Sequence, residues 1–266
     1  MCLAVSNDGH WIAGGIFWGD VIVWDANTYK EKYRWRTEIV SELDLSPDAT
    51  RLVTAWKDKA TIWDVATGNE VRRLVDEDSI EAVKYSSEGD RIATVTRHHV
   101  RVWDSEDGRV MYEIKVSCRD QVSLVWGYNL LFVASTDTVW KIKRSNVSEW
   151  SIPETNETSC TTLQSRGEFV VAATSRVIRF WDISTHAQLP PIQHSQDRRS
   201  ITLSPDDQFI AIAGKDGKIT IKQLSHISVS ISCRCLLLCS SFCLRIAFLS
   251  ISPNTSHFLG TNHPDR

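Results

Sequence analysis

The chain has 266 residues and a mass of 30.2 kDa, with 42% hydrophobic and 24% charged residues. That composition excludes disorder along the whole chain, and the length fits one large domain or two small ones. Thirty basic and 33 acidic residues give a formal net charge of −3, which excludes a global basic field for gripping nucleic acid or an anionic membrane.

The N-terminal residues Met1 to Gly9 show neither a basic start nor an apolar run of secretory length. Asn146-Val147-Ser148, Asn156-Glu157-Thr158 and Asn254-Thr255-Ser256 match the glycosylation pattern but, without a leader, read as chance matches. Seven cysteines, three of them isolated, do not form a disulfide framework. A reducing, cytoplasmic or nuclear setting is the expectation.

The first elements are short strands: Cys2 to Val5, Trp11 to Ile16, Val21 to Trp24 and Lys32 to Arg36. The third ends in Trp24-Asp25. The same dipeptide returns at Trp63-Asp64, Trp103-Asp104 and Trp181-Asp182, in steps of 39, 40 and 78 residues. Trp140-Lys141 reads as a degenerate copy in the long step, and Lys222-Gln223 as a sixth copy that has lost its Trp. A turn with Ser and an acidic or Gly residue precedes the copies, beginning near 6, 46, 86 and 204, with weaker copies at Trp126-Gly127-Tyr128-Asn129 and Ser165-Arg166-Gly167. Two markers holding one period over six copies predict a repeat architecture. Four short strands in about 40 residues make one small antiparallel sheet, which cannot bury both faces until it is stacked against its neighbours.

These residues resemble the WD40 repeat family. The resemblance covers roughly Cys2 to Leu224, and the repeats are similar to those of propellers in large fungal multidomain proteins. It implies an all-β fold: a β-propeller of about six four-stranded blades plus a truncated or interrupted seventh. It also implies a non-catalytic scaffold that holds protein or peptide partners, with no cofactor and no metal. Trp24, Asp25, Trp63, Asp64, Trp103, Asp104, Trp140, Trp181, Asp182 and Asp216 are its structural repeat residues. The family's buried network of His, Ser or Thr, Asp and Trp is incomplete here. Its Asp position holds Trp18, Lys57, Arg97 and Ser175, with Asp216 alone matching. Most blades are therefore expected to rely on apolar packing and strand pairing, with modest stability.

Loops after each second strand and before each first strand gather on one rim of such a fold. The partner-binding candidates there are Trp18, Trp56, Lys57, Arg97, His98, Arg176 and Lys215, because aromatic and Arg side chains dominate binding hot spots. The competing reading is that the tryptophans pack on neighbouring blades and the charges are solvated. Asp76-Glu77-Asp78 reads as a solvated acidic loop. His98-His99 makes a poor metal pair, since adjacent strand residues point to opposite faces. No G-x-x-x-x-G-K-[ST], G-x-S-x-G or H-E-x-x-H motif occurs, so nothing supports catalysis, and no nucleic acid is expected.

The domain reading is 1–224 for the repeats and 225–266 for an anomalous apolar tail, with a partial seventh repeat from about 248. From Ile227 to Pro264 there is no Asp, Glu or Lys. An insertion or translated intron at Ile227 to Ala247 is one reading, which would make the chain a truncated or mis-spliced fragment of a larger protein. A membrane tether through 227–251 is another; Arg234 and Arg245 would each cost about 2.5–3.5 kcal/mol in mid-bilayer. A metal site on Cys235, Cys239 and Cys243 lacks the second ligand pair that zinc requires. Blade closure and oligomeric state are left open.

Overall fold

The computed structural model describes residues 2–224, apart from 17–18, 119–121, 128, 136–137, 145, 152–161, 167–168, 174–176, 184, 186, 194–197, 204–207 and 215–217. The tail expected at 225–266, with its alternative readings, lies outside the described residues.

Blade one comprises β1 (Cys2–Val5), β2 (Trp11–Gly15), β3 (Asp20–Asp25) and β4 (Glu31–Arg36). Blade two comprises β5 (Glu42–Leu45), β6 (Arg51–Trp56), β7 (Lys59–Asp64) and β8 (Glu70–Val75). Blade three comprises β9 (Ala82–Tyr85), β10 (Arg91–Val95), β11 (His99–Asp104) and β12 (Val110–Lys115). Blade four comprises β13 (Ser123–Gly127), β14 (Leu130–Ala134), β15 (Thr138–Lys143) and β16 (Asn146–Ser151). Blade five comprises β17 (Thr162–Arg166), β18 (Phe169–Ala173), β19 (Val177–Asp182) and β20 (Gln188–Gln193). Blade six comprises β21 (Arg198–Leu203), β22 (Phe209–Gly214) and β23 (Ile219–Gln223). Each is an antiparallel meander in chain order, four-stranded in blades one to five and three-stranded in blade six among the described residues. This is propeller architecture.

The core lies between the blades. One apolar cluster joins Val21 and Val23 of blade one to Leu43, Leu52 and Trp63 of blade two. The next joins Val53 and Ile62 of blade two to Val83, Ile92 and Trp103 of blade three. Three further clusters continue this to blade six. Side chains alternate along a strand, so neighbouring residues serve different clusters. Ile62 faces forward to the next blade, while Trp63 faces back to the previous one.

The Asp after each Trp organises the turn that follows. Asp64 Oδ1 accepts hydrogen bonds from the Thr67 backbone N–H at 3.0 Å and hydroxyl at 2.9 Å. Asp25 and Asp182 do the same with Thr28 and Thr185. The Ser turns repeat too. The hydroxyls of Ser6, Ser46 and Ser86 each accept from the backbone N–H five residues later, at 2.9–3.1 Å. Ala49 takes φ +57° where Gly9 and Gly89 stand in the sister turns, a left-handed conformation that disfavours a side chain.

Two sequence expectations need correction. Trp140 is not the fourth copy of the repeat Trp. Trp63, Trp103 and Trp181 sit fifth in their strands, opposite Leu52, Ile92 and Val170. In β15 the fifth residue is Ile142, opposite Leu131, and Lys143 stands where the Asp would be. Trp140 lies two residues earlier on the same face, buried in the same cluster, with its indole N–H donated to Glu149. The hydrogen-bond network is also less depleted than expected. Trp63 Nε1 donates to Thr54 Oγ1 at 2.8 Å, and Trp103 Nε1 to Thr94 Oγ1 at 2.9 Å. In blade one, Gly14 leaves room for the ring instead; a Cβ there would lie 2.8 Å from Trp24.

Thr94→Val keeps the side-chain shape but strips the acceptor from a buried indole N–H. It should destabilise the chain by about 1–3 kcal/mol in urea titration, and much less in a Trp103→Phe background.

Candidate functional site

The strand order places the β6–β7 and β10–β11 turns on the same rim as the loops that lead into the next blade. Backbone bonds tie the two together. Thr37 N–H donates to Gly19 O, Asp76 N–H to Asp58 O and Val116 N–H to His98 O, at 2.7–2.9 Å. Ile80 N–H donates to Lys57 O, and Cys118 N–H to Arg97 O. The rim is therefore a braced surface rather than a set of independent loops.

Trp56 and Lys57 lie on the blade-two part of this rim. Lys57 sits at φ +50° in a two-residue turn, with its ammonium 5.9 Å from the Trp56 ring. Arg97 and His98 hold the same place on blade three. They are 66% and 72% exposed, with Arg97 Nε 3.5 Å from Glu81 and His98 Nδ1 2.9 Å from Asp78. Trp18, Arg176, Lys215 and Asp216 lie outside the described residues.

The acidic loop between these two places is not uniformly solvated. The Asp76 side chain is 0% exposed, whereas Glu77 is 86% exposed. Asp76 Oδ1 lies 2.7 Å from His99 Nε2 and accepts from Arg101 Nη1 at 2.7 Å. Arg101 also donates to Glu113 at 2.7 Å and to Glu77 at 3.3 Å. Burial opposes the Arg101 charge, but the Glu113 hydrogen bond and the fields of Asp76 and Glu77 hold its pKa above the usual value. His99 turns inward while His98 faces water, so the histidine pair does not converge. The sequence signal was an Arg third in β11, where the sister strands β3 and β7 carry Ile22 and Thr61.

The inner strands carry a second charged group. Lys84 Nζ on β9 lies 3.1 Å from Asp44 and 4.0 Å from Glu42, both on β5, and the Tyr85 N–H donates to Asp44. Burial pushes the Glu42 carboxyl above its usual range, against the pull of Lys84. Burial and the Glu42 charge together push the Cys2 thiol up to about 11, so that thiol is no nucleophile at neutral pH. Among the described residues no group of three or more His, Cys, Asp or Glu is placed to hold a metal, and no helix is long and apolar enough to cross a membrane.

Comparison with known proteins agrees with the geometry. The family model for the WD domain, G-beta repeat, matches residues 190–221. Small ribosomal subunit protein RACK1 of Caenorhabditis elegans is 23% identical over 146 residues, 49% of this chain and 45% of that protein. A BTB/POZ-domain and WD-repeat protein of Acanthamoeba polyphaga mimivirus is 25% identical over 120 residues, 44% of this chain and 22% of that one. Among solved structures, the Cps50 (Swd1) β-propeller domain of Myceliophteria thermophila aligns with a TM-score of 0.69 at 17% identity, over 84% of this chain and 83% of that one. The chain is a β-propeller that matches the WD40 repeat over residues 190–221. Hydrazine synthase of Kuenenia stuttgartiensis aligns with a TM-score of 0.73 at 15% identity, over 84% and 82% of the two chains, a likeness of fold alone. The matched regions span less than half the length of the curated WD40 relatives.

Two outcomes are expected of this chain. Asp76→Ala strands two buried donors and should cost about 3–5 kcal/mol, whereas His98→Ala should leave the unfolding midpoint in place. For Glu42, both states hold the proton below the ordinary glutamate range, and no penalty exists there. As pH rises through that range the unfolded chain ionises first, so the penalty grows until the folded carboxyl has ionised too. Glu42→Gln should therefore melt higher than the native chain at pH 7, with the gain vanishing below about pH 4.

Proposed function

We propose that this propeller is a non-catalytic interaction module that holds a protein or peptide partner on the rim carrying Trp56, Lys57, Arg97 and His98. The supporting observation is the braced rim itself. Backbone bonds between turns and loops fix a surface on which Arg97 and His98 project strongly into solvent, flanked by the acidic loop and by Trp56 with Lys57. Preformed loops lose little entropy on binding, and mixed charge favours selective partners. The interblade faces, by contrast, are committed to apolar packing. The WD40 family as a whole favours such a role, and RACK1 is described by name as a ribosomal subunit protein.

The test is a triple variant, Lys57→Ala, Arg97→Ala and His98→Ala, in the full chain. Partners captured by cross-linking and identified by mass spectrometry should bind it about tenfold or more weakly, with the melting transition unchanged. Undiminished binding by the triple variant would overturn the rim assignment.

A further inference from the structure

Blade two carries an open notch where blade three carries a filled one. The repeat makes the comparison residue by residue. Thr37 and Asp76 each follow the last strand of a blade and donate the same backbone bond to the turn beside them. Lys59 and His99 begin β7 and β11, and Thr61 and Arg101 sit third in those strands. Arg73 and Glu113 pair with Thr61 and Arg101 across the sheet.

In blade three these positions hold a carboxylate. Asp76 fills the space from the loop and is met by His99 and Arg101. In blade two the loop supplies Thr37, which brings no charge, and Thr61 is too short to fill what Arg101 fills. The result is a crevice whose lining includes Thr37, Glu38, Trp56, Lys59, Thr61 and Arg73. Lys59, in the His99 position, forms no ion pair among the described residues.

We propose that this notch receives the carboxylate of an Asp or Glu side chain from a peptide partner, in the place that Asp76 occupies in the next blade. The inference rests on the rim reading and names the chemistry of one of its contacts. Charge selects a single carboxylate over a phosphate. Arg73 is already paired with Glu70 at 2.6 Å, and Glu38 is itself one of the lining residues. Lys59, the cation of the lining without an ion pair, can meet one carboxylate; Glu38 weakens that attraction and would oppose a dianion about twice as strongly. The Thr37 and Thr61 hydroxyls supply donors to a carboxylate oxygen, and the Trp56 ring offers a wall for side-chain methylenes.

The test is selection of random 12-residue peptides displayed against the immobilised full chain, followed by fluorescence-polarisation titration of the enriched peptides. Enriched peptides should share an acidic residue whose amide form, Asp→Asn or Glu→Gln, binds about tenfold more weakly. Thr37→Asp, which supplies the missing carboxylate from within, should lose them to the same extent while melting no lower than the native chain. Lys59→Gln should lose them also. Peptides that bind Thr37→Asp and Lys59→Gln undiminished overturn the notch, as does preference for a phosphoserine form. If such peptides are lost with Lys57→Ala, Arg97→Ala and His98→Ala, the rim reading survives without the notch. If neither set of variants weakens them, both readings fall.

Discussion

The sheets of blades two to five carry apolar side chains on both faces, and neither face can be covered from within the sheet. Every described cluster of the core is therefore shared by two consecutive blades. The alternation of a β-strand does the distributing. In β7, Ile62 serves the cluster ahead and Trp63 the cluster behind, so a single strand joins three blades. Shifting such a strand by one residue would exchange its two neighbours' contacts, and the register is pinned for that reason.

The repeat was legible because its markers answer to local chemistry. An Asp whose carboxylate collects N–H groups from its own turn, and a Ser that accepts from five residues on, need no distant partner, so their spacing stands out in the chain. The blade-four register did not stand out. Trp140 and Ile142 are both large, apolar and on the same face, and either satisfies the interblade cluster. Only the pairing of Ile142 with Leu131 separates them, and a position 39 residues from Trp103 and from Trp181 is what that pairing marks. The burial of Asp76 is hidden in the sequence for the opposite reason. An acidic run looks solvated in isolation; the side chains that bury its first member arrive 23 and 25 residues later, on another blade. The Trp-to-Thr bonds leave no mark in the sequence because Thr is equally at home as an ordinary strand residue.

The rim shows how one backbone supports different chemistry at equivalent places. At three successive blade junctions the same main-chain bond is donated by Thr37, Asp76 and Val116. The first leaves a polar crevice, the second anchors a buried ionic cluster, and the third contributes to the apolar core. Main-chain hydrogen bonds set the frame at each junction, and the side chain carried there decides whether the junction is open, locked or dry. Charged groups are tolerated in the locked one because Arg101 has three carboxylates around it and Asp76 is met by two cationic or polar donors.

The backward orientation of the repeat tryptophans bears on how the protein is made. Trp63, Trp103 and Trp181 each dock on the blade that precedes their own in the chain. A ribosome delivers the N-terminal part first, so when each of these rings leaves the exit tunnel its receiving surface has already been synthesised. The largest apolar side chain of each of these blades thus spends little time without a place to go, and the chain can be assembled in the order in which it is read.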